Sequence, residues 1–134
     1  MIEAFLVPEK TVASAKGDGP AVALNSAETR VFLLTLAITD IIEQESLDLS
    51  VHGSVDGTTF DVKPVAAFPQ KFYRGESPLL VDLSARPEVK SIRAHWEVNR
   101  WGRGTETPMF EFCVTLREVP QEILAEAAGR ARIQ

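Results

Sequence analysis

The segment that decides the fold class reads Ile92-Arg93-Ala94-His95-Trp96-Glu97-Val98-Asn99. Apolar and polar side chains alternate along it, which places Trp96 on the apolar side and His95 on the polar side. A period of two is typical of a half-buried β-strand, because successive side chains of a strand point to opposite faces of the sheet. The segment Phe110–Leu116 alternates in the same way. The pattern therefore predicts two neighbouring strands in the chain, separated by a short loop.

The upstream sequence repeats this signal. The segment Thr29–Thr39 is apolar on both sides, which favours a central strand covered on both faces, although a helix is a competing interpretation. Its stronger face contains Phe32, Leu34, Leu36 and Ile38. Further short strands are predicted at Leu47–Val51, Thr59–Val62, Val65–Phe68, Lys71–Tyr73 and Leu79–Leu83. Seven or eight short strands without intervening helical patterns predict an all-β fold, a single antiparallel β-sandwich with a jelly-roll-like arrangement.

The chain of 134 residues fits one domain with a core of its own, so that it needs no metal or disulfide to fold. We interpret residues 1–25 as an N-terminal arm. Ala4–Val7 and Thr11–Ser14 could be short strands within it, but Pro8 and the segment Lys16–Pro20 break them. Residues 26–118 form the predicted β-sandwich domain. Residues 119–134 form a C-terminal helical tail that begins at Pro120 and is expected to dock on its own sandwich or on a neighbour.

Composition narrows the class of function. The net charge of −5 argues against a general nucleic-acid binder, since phosphate contacts need a basic surface. No apolar run approaches the roughly 20 residues that a membrane helix needs, and no secretory signal is apparent. We therefore expect a location in the cytoplasm, or in a particle that is released by lysis. The single cysteine, Cys113, is expected to be a small packed side chain.

No catalytic or metal-binding constellation stands out in the sequence. His52 and His95 take polar-facing positions within strands, and a catalytic pair would require neighbouring strands and a nearby base or nucleophile. No His/Cys cluster has metal-ligand spacing, and the acidic segment Asp40–Asp48 is better read as a solvated turn than as a calcium loop. We expect no enzyme activity, no cofactor and no metal.

Two aromatic and basic patches are the candidate binding residues. Arg100, Trp101 and Arg103 lie in the loop between the last two predicted strands, where Trp101 falls outside the alternation. Trp101 could fold back and cap the end of the sandwich, or it could serve as an interface anchor or stack on a sugar ring. Phe72 and Tyr73 form the second patch, near a turn, with core filling as the alternative.

Two resemblances cover residues 29–117. The turn Ser54–Phe60, followed by Gly104–Pro108 and Phe110–Phe112, resembles small β-sandwich proteins of bacteriophage-like particles, of the decoration or tail type. The chain is also similar to an uncharacterised family of short bacterial β-sandwich proteins, for which no activity is known. The segments that carry this second resemblance are Thr39–Leu47, Phe68–Tyr73 and Asn99–Gly104.

These observations lead to one functional prediction and one rival. The first is a non-enzymatic structural protein that self-assembles into a larger homo-oligomeric particle, such as a shell, tube, filament or decoration layer. Its partner is a further copy of itself. The rival is a carbohydrate-binding β-sandwich module that uses Trp101 and Tyr73 as stacking surfaces.

Overall fold

The computed structural model describes residues 2–41, 45–100 and 109–126. These residues form nine strands and one short helix, α1, at residues 121–126. In chain order the strands are β1 (Glu3–Ala13), β2 (Gly17–Asp18), β3 (Val22–Ala23), β4 (Val31–Ile41), β5 (Glu45–Ser54), β6 (Ala66–Ala67), β7 (Gly75–Asp82), β8 (Ser91–Arg100) and β9 (Phe110–Glu118).

The strands form two antiparallel sheets that face each other. Sheet A has the order β1-β9-β4-β7, and sheet B has the order β2-β8-β5-β6 with β3 also paired to β8. The first strand thus pairs with the last, β2 and β3 pair with β8, β4 pairs with β7, and β5 pairs with β6. This nested pairing is a jelly roll. The predicted all-β sandwich with its short C-terminal helix is confirmed.

The core lies between the sheets and is built by the inward side of each alternation. Trp96 on β8 is only 9% exposed and packs edge-to-face against Phe112 on β9, with ring centroids 5.3 Å apart. The pair joins sheet B to sheet A, as the alternating pattern of both strands predicts. The predicted stronger face of β4 is buried throughout, comprising Phe32, Leu34, Leu36 and Ile38.

The interpretation of residues 1–25 as an arm needs correction. Glu3–Ala13 is an edge strand of sheet A that pairs with β9 from Glu3 opposite Arg117 to Ala13 opposite Phe110. Leu6 and Val7 are both fully buried, so this strand contributes to the core. Pro8 does not end the strand because the pairing shifts register around it, as edge strands allow. The sandwich therefore begins at the N-terminal strand and not at residue 26.

The predicted strand Thr59–Val62 is also absent from the structure. Asp56 Oδ1 instead accepts hydrogen bonds from the backbone N–H groups of Thr58 and Thr59, both at 2.8 Å. These bonds lower the pKa of Asp56 and hold a compact turn in which Gly57 has a φ of +83°. Thr59 N–H is consequently not free for a strand ladder, and the chain remains irregular until β6.

Candidate interaction surfaces

The outward side of sheet A exposes several apolar side chains. Leu33 on β4 lies between Arg117 on β9 and Leu80 on β7, and Thr35 lies between Thr115 and Pro78. Leu80 is 61% exposed, and Phe5 on β1, opposite Thr115, is 44% exposed. We call this surface the sheet A face, defined by Phe5, Leu33, Thr35, Pro78, Leu80 and Thr115. Neighbouring exposed apolar side chains, as at the paired Leu33 and Leu80, mark a site of interaction more often than an isolated exposed leucine does.

A groove of about 670 Å³ continues the sheet A face toward α1. Leu33 and Leu80 form its floor, and Ile123 and Leu124 of α1 contribute to its wall. Ile123 remains 53% exposed, so α1 does not close the groove. We call this feature the tail groove; its remaining lining residues are Ile2, Glu3, Arg117, Glu118, Val119 and Pro120.

Beside the tail groove, Glu118 connects three segments that are far apart in the chain. Its side chain is buried, and its Oε2 accepts hydrogen bonds from the backbone N–H groups of Thr29 at 2.6 Å and Glu28 at 2.8 Å. Its Oε1 accepts from the N–H of Ile2 at 3.0 Å. Burial alone would raise the pKa of Glu118, but the donated bonds outweigh it and the pKa is lowered. The ionised carboxylate thus fixes β1 and the entry to β4 at the edge of the groove.

The edges of both sheets are poor templates for adding a strand. In sheet A, β1 is interrupted by register shifts and β7 carries Pro78, which lacks an N–H. In sheet B, the outer strands β2, β3 and β6 have two residues each. Irregular, proline-containing or very short edge strands prevent edge-to-edge pairing. Among the described residues, broad contact with another chain is therefore left mainly to the faces.

Cys113 lies on the outward side of sheet A, on the same face as Leu33 and Leu80 and further along the strands. It pairs with Ala37 on β4, which in turn pairs with Glu76 on β7. The side chain is half-buried, and burial raises the pKa of the thiol, with Glu9 and Glu76 adding to the effect. The thiol is therefore a weak nucleophile, and its position makes it a natural reporter for this face.

The outward side of sheet B is polar and extensively hydrogen-bonded. Asp48 Oδ2 accepts bonds from Asn99 Nδ2 and Gln70 Nε2, both at 3.1 Å. Gln70 Nε2 also lies 3.2 Å from Ser46 Oγ, which ties the segment after β6 to β5. We call this surface the sheet B face, defined by Asp18, Asp48, Ser50, His52, Arg93, His95 and Asn99.

The register of β5 and β8 brings the two histidines of the chain together on the sheet B face. Their ring centroids lie 5.7 Å apart with the planes at 87°. His95 Nδ1 lies 2.9 Å from Asp18 Oδ1, and His52 Nδ1 lies 2.7 Å from the carbonyl oxygen of Asp61. Ser50 Oγ lies 2.9 Å from His52 Nε2. The histidines thus occupy neighbouring strands beside a hydroxyl group, which is the condition that the sequence analysis set for a functional pair.

Ser50, His52 and the Asp61 carbonyl have the relative positions of a nucleophile, a base and a group that orients the base. Neither the tail groove nor the cavity beside Tyr73 includes Ser50. An acyl-transfer site also needs donors for the oxyanion and a place for the substrate, and neither is identified around Ser50 among the described residues. The absence of enzyme activity stays a prediction.

Phe72 and Tyr73 lie at the surface, and Tyr73 is 80% exposed. The alternative that Tyr73 fills the core is therefore corrected. Arg74 pairs with Asp40 at 3.3 Å beside it. A cavity of about 310 Å³ adjoins the aromatic pair; its lining residues are Ile38, Gln70, Lys71, Phe72, Tyr73, Arg74, Gly75, Glu76 and Ser77.

Of the other three predicted binding residues, Arg100 lies at the same end of the sandwich, and the remaining two lie outside the described residues. Arg100 is the last residue of β8, and its backbone pairs with Glu45. Trp101 and Arg103 lie outside the described residues. The bridge between Leu47 and Lys71 places the start of the Phe72–Tyr73 patch next to the β5 end of that ladder. The described residues of the two patches therefore lie at one end of the jelly roll.

Sequence reasoning missed the sheet A face. Leu33 and Leu80 fall on the weaker side of their alternations, and the doubly apolar β4 was expected to be covered on both sides. The strand is central as predicted, but Leu33 is 38% exposed because no further layer of described residues covers it. The signal available in the sequence was the apolar residue at both Leu33 and Leu80, whose pairing only the register reveals.

Comparisons with known proteins give no relative for this chain. No protein-family model, no curated protein and no solved structure matches it. Two features are absent from residues 2–41, 45–100 and 109–126, a membrane-spanning helix and a cluster of metal ligands. No helix there is long and apolar enough to cross a membrane, and no group of three or more His, Cys, Asp or Glu side chains could hold a metal ion.

Proposed function

We propose that this protein is a non-enzymatic structural subunit that self-assembles into a larger homo-oligomeric particle. The observation that carries the proposal is the exposed pair Leu33 and Leu80 on the sheet A face, which also lines the tail groove. Burial of Leu33 and Leu80 against another apolar surface would release water from them, which favours association. The resemblance to particle proteins of the bacteriophage type is consistent with this role. A location in the cytoplasm, or in a particle released by lysis, remains part of the prediction.

The area of the outward side of sheet A is sufficient for a modest interface. The whole outward side of sheet A, of which the sheet A face is part, covers roughly 500 Å², given four strands, the eight residues of β7 and the usual spacing of strands and residues. Two copies that meet through this surface would bury about 1,000 Å² in total, which is near the lower limit for a specific protein interface. The tail groove adds further apolar area. A second copy of this chain is therefore an occupant of adequate size.

The charges around the sheet A face suit a second copy as well. Arg117 and Glu3 form an ion pair at the margin, with Nε and Oε1 3.2 Å apart, and both side chains are largely exposed. Glu76 lies at the opposite margin, beyond Ala37. A two-fold arrangement can bring the basic side chain of one copy toward the acidic margin of the other, because each copy supplies both signs.

Sedimentation velocity over a range of protein concentrations tests the proposal. The wild-type protein should sediment as assembled species and Leu80→Lys as a monomer, because the introduced charge would have to be desolvated at the interface. Val55→Lys is the matched control, since Val55 is 57% exposed and lies on the turn after β5, away from the sheet A face. A wild-type protein that stays monomeric at high micromolar concentration would defeat the proposal.

Cys113 provides a second measurement in the unmodified protein. It is the single cysteine of the chain, so that alkylation reports one position. Assembly through the sheet A face should slow its reaction with iodoacetamide as the protein concentration rises. The rate should become independent of concentration in Leu80→Lys. A concentration-independent rate in assembled wild-type protein would place the contact on another surface.

The cavity beside Tyr73 supports carbohydrate binding as a second candidate function. An exposed aromatic ring next to Gln70, Arg74 and Glu76 offers a stacking surface together with polar groups for sugar hydroxyls. A glycan array with the wild type and Tyr73→Ala tests it. Labelling with 3-fluorotyrosine gives one ¹⁹F resonance, because Tyr73 is the single tyrosine. A sugar that binds without shifting this resonance would contradict the candidate.

A further inference from the structure

We propose that His52 and His95 form a binding site for one divalent transition-metal ion of the zinc, copper or nickel type. The site lies on the sheet B face and is independent of self-assembly through sheet A. The register opposes Ser50 to His95 and His52 to Arg93, which makes the two histidines diagonal neighbours on adjacent strands. Diagonal neighbours on one face are within reach of each other when the side chains are long.

The hydrogen bonds that the two Nδ1 atoms make determine which nitrogen atom of each neutral ring carries the hydrogen. The Asp61 carbonyl can only accept a hydrogen bond, so His52 Nδ1 carries the hydrogen of the neutral ring. An ionised Asp18 is likewise an acceptor for His95 Nδ1–H. Both Nε2 atoms of the neutral rings then carry lone pairs. Metal-binding histidines are usually held in this way, with the second nitrogen donating to a carboxylate or a backbone carbonyl.

The chemistry of the donors selects the class of ion. Imidazole nitrogen suits zinc, copper and nickel, whereas calcium and magnesium prefer oxygen ligands. Ser50 Oγ lies beside His52 Nε2 and can hydrogen-bond a metal-bound water once the ion replaces its present contact. Two protein ligands leave the other coordination positions to water. The site is therefore expected to be labile, unlike a closed structural zinc site.

Arg93 lies opposite His52, and its surroundings partly offset its positive charge. Arg93 Nε lies 3.7 Å from Asp18 Oδ1, and its guanidinium carbon lies 4.2 Å from the centroid of the Phe60 ring. The carboxylate and the ring face both attract the guanidinium group, which lessens its repulsion of a bound cation. Arg93→Gln should consequently strengthen metal binding, and weaker binding by this variant would contradict the proposed position of the ion.

Calorimetric titration of the full chain with ZnCl₂, and separately with NiCl₂, tests the site. In a non-coordinating buffer at neutral pH we expect one equivalent to bind, and expect His52→Ala and His95→Ala each to lose it. Circular dichroism without metal verifies that each variant is folded. If a folded His52→Ala/His95→Ala double variant still binds one equivalent, the ion lies elsewhere and the proposal fails. No saturable binding by the wild type would also overturn it.

The nitrogen atoms can be observed directly, since the chain contains only two histidines. In ¹⁵N spectra of the imidazoles, zinc should shift the Nε2 resonance of both rings and leave both Nδ1 atoms protonated. A shift confined to one ring would reduce the feature to a single surface histidine and reject the pair. This measurement needs no mutation and is therefore unaffected by any change in stability.

Asp18 is assigned a positioning role, which a charge-matched pair of variants tests. Asp18→Asn should weaken metal binding by about 10-fold, as is common when the group that orients a ligating histidine is lost. Glu97→Gln is the control. It also removes one negative charge, from the outward side of β8, but Glu97 lies opposite Asp48 on β5. Equal weakening by the two variants would show that overall charge is responsible and would refute the positioning role.

Discussion

Sheet A turns Phe5, Leu33 and Leu80 outward, whereas sheet B turns Asp48, His52 and His95 outward from the other side of the same core. The apolar residues of sheet A have no described layer above them. The polar residues of sheet B already bond to one another, through Asn99 to Asp48 and through His95 to Asp18. Exposed polar groups are solvated by water at little cost, whereas the exposure of leucine side chains to water is unfavourable. We therefore propose association through sheet A and the binding of a small ion on sheet B.

The largest effect should come from the layer that both faces share. Phe112→Ala removes a fully buried ring that contacts Trp96, and it should lower the free energy of unfolding by about 3–5 kcal/mol. Urea denaturation followed by circular dichroism measures the loss. Leu80→Lys, on the exposed side, should change the unfolding free energy of the monomer by about 0.5 kcal/mol or less. Comparable losses in the two variants would remove the distinction between core and face.

An intermediate effect is expected at the carboxylate that borders the tail groove. Glu118→Gln keeps the size of the side chain but removes the charge that three backbone N–H groups bind, and should cost about 2 kcal/mol at pH 7. Chemical denaturation of the wild type and the variant at the same pH gives the difference directly.

The pH dependence of that difference follows from the lowered pKa of Glu118. The folded state holds the carboxylate in its charged form more strongly than the unfolded chain does. The stabilisation is therefore fully present above the unfolded pKa, near 4.5, and is lost as the pH falls through the lower folded value. The wild type and Glu118→Gln should converge in stability at low pH. A difference that is constant from pH 7 to below the folded pKa would indicate that the charge is unimportant.

The smallest effect on stability should come from the sheet B face. His52→Ala removes a half-buried surface ring whose partners, Ser50 and the Asp61 carbonyl, remain accessible to water. We expect a change of about 0.5 kcal/mol in the unfolding free energy and no change in sedimentation. A shift in the state of association would show that sheet B also takes part in contacts between copies, and the division between the two faces would fail.

The alternation of apolar residues was enough to predict the sandwich, the inward position of Trp96 and the central position of β4. It could not predict that β1 joins sheet A, because Pro8 and the positive φ of Lys10 interrupt the local pattern while pairing with β9 continues on both sides. Nor could it place His52 beside His95. A shift of one residue in the pairing of β5 with β8 would turn one histidine to the other face, and register depends on contacts between distant segments.

The candidate site residues also divide into those that local sequence can identify and those that depend on strand pairing. Tyr73 was identified from local sequence as a candidate, and its high exposure is consistent with that role. Leu33 and Leu80 belong to different strands, and each alone looks like an ordinary strand residue. Only the pairing of β4 with β7 makes them one surface. The functional candidates that sequence reasoning missed are thus those created by pairing, whereas Tyr73, which it found, is exposed within one local segment.

The antiparallel pairing of β1 with β9 has a practical consequence for handling the protein. Ile2 borders the tail groove, so that a purification tag on the N-terminus would emerge next to the proposed contact surface. Such a tag could keep subunits apart and make an assembling protein look monomeric. The connection Ser14–Lys16 is exposed and lies at the opposite end of β1, which makes it the better place for an inserted epitope.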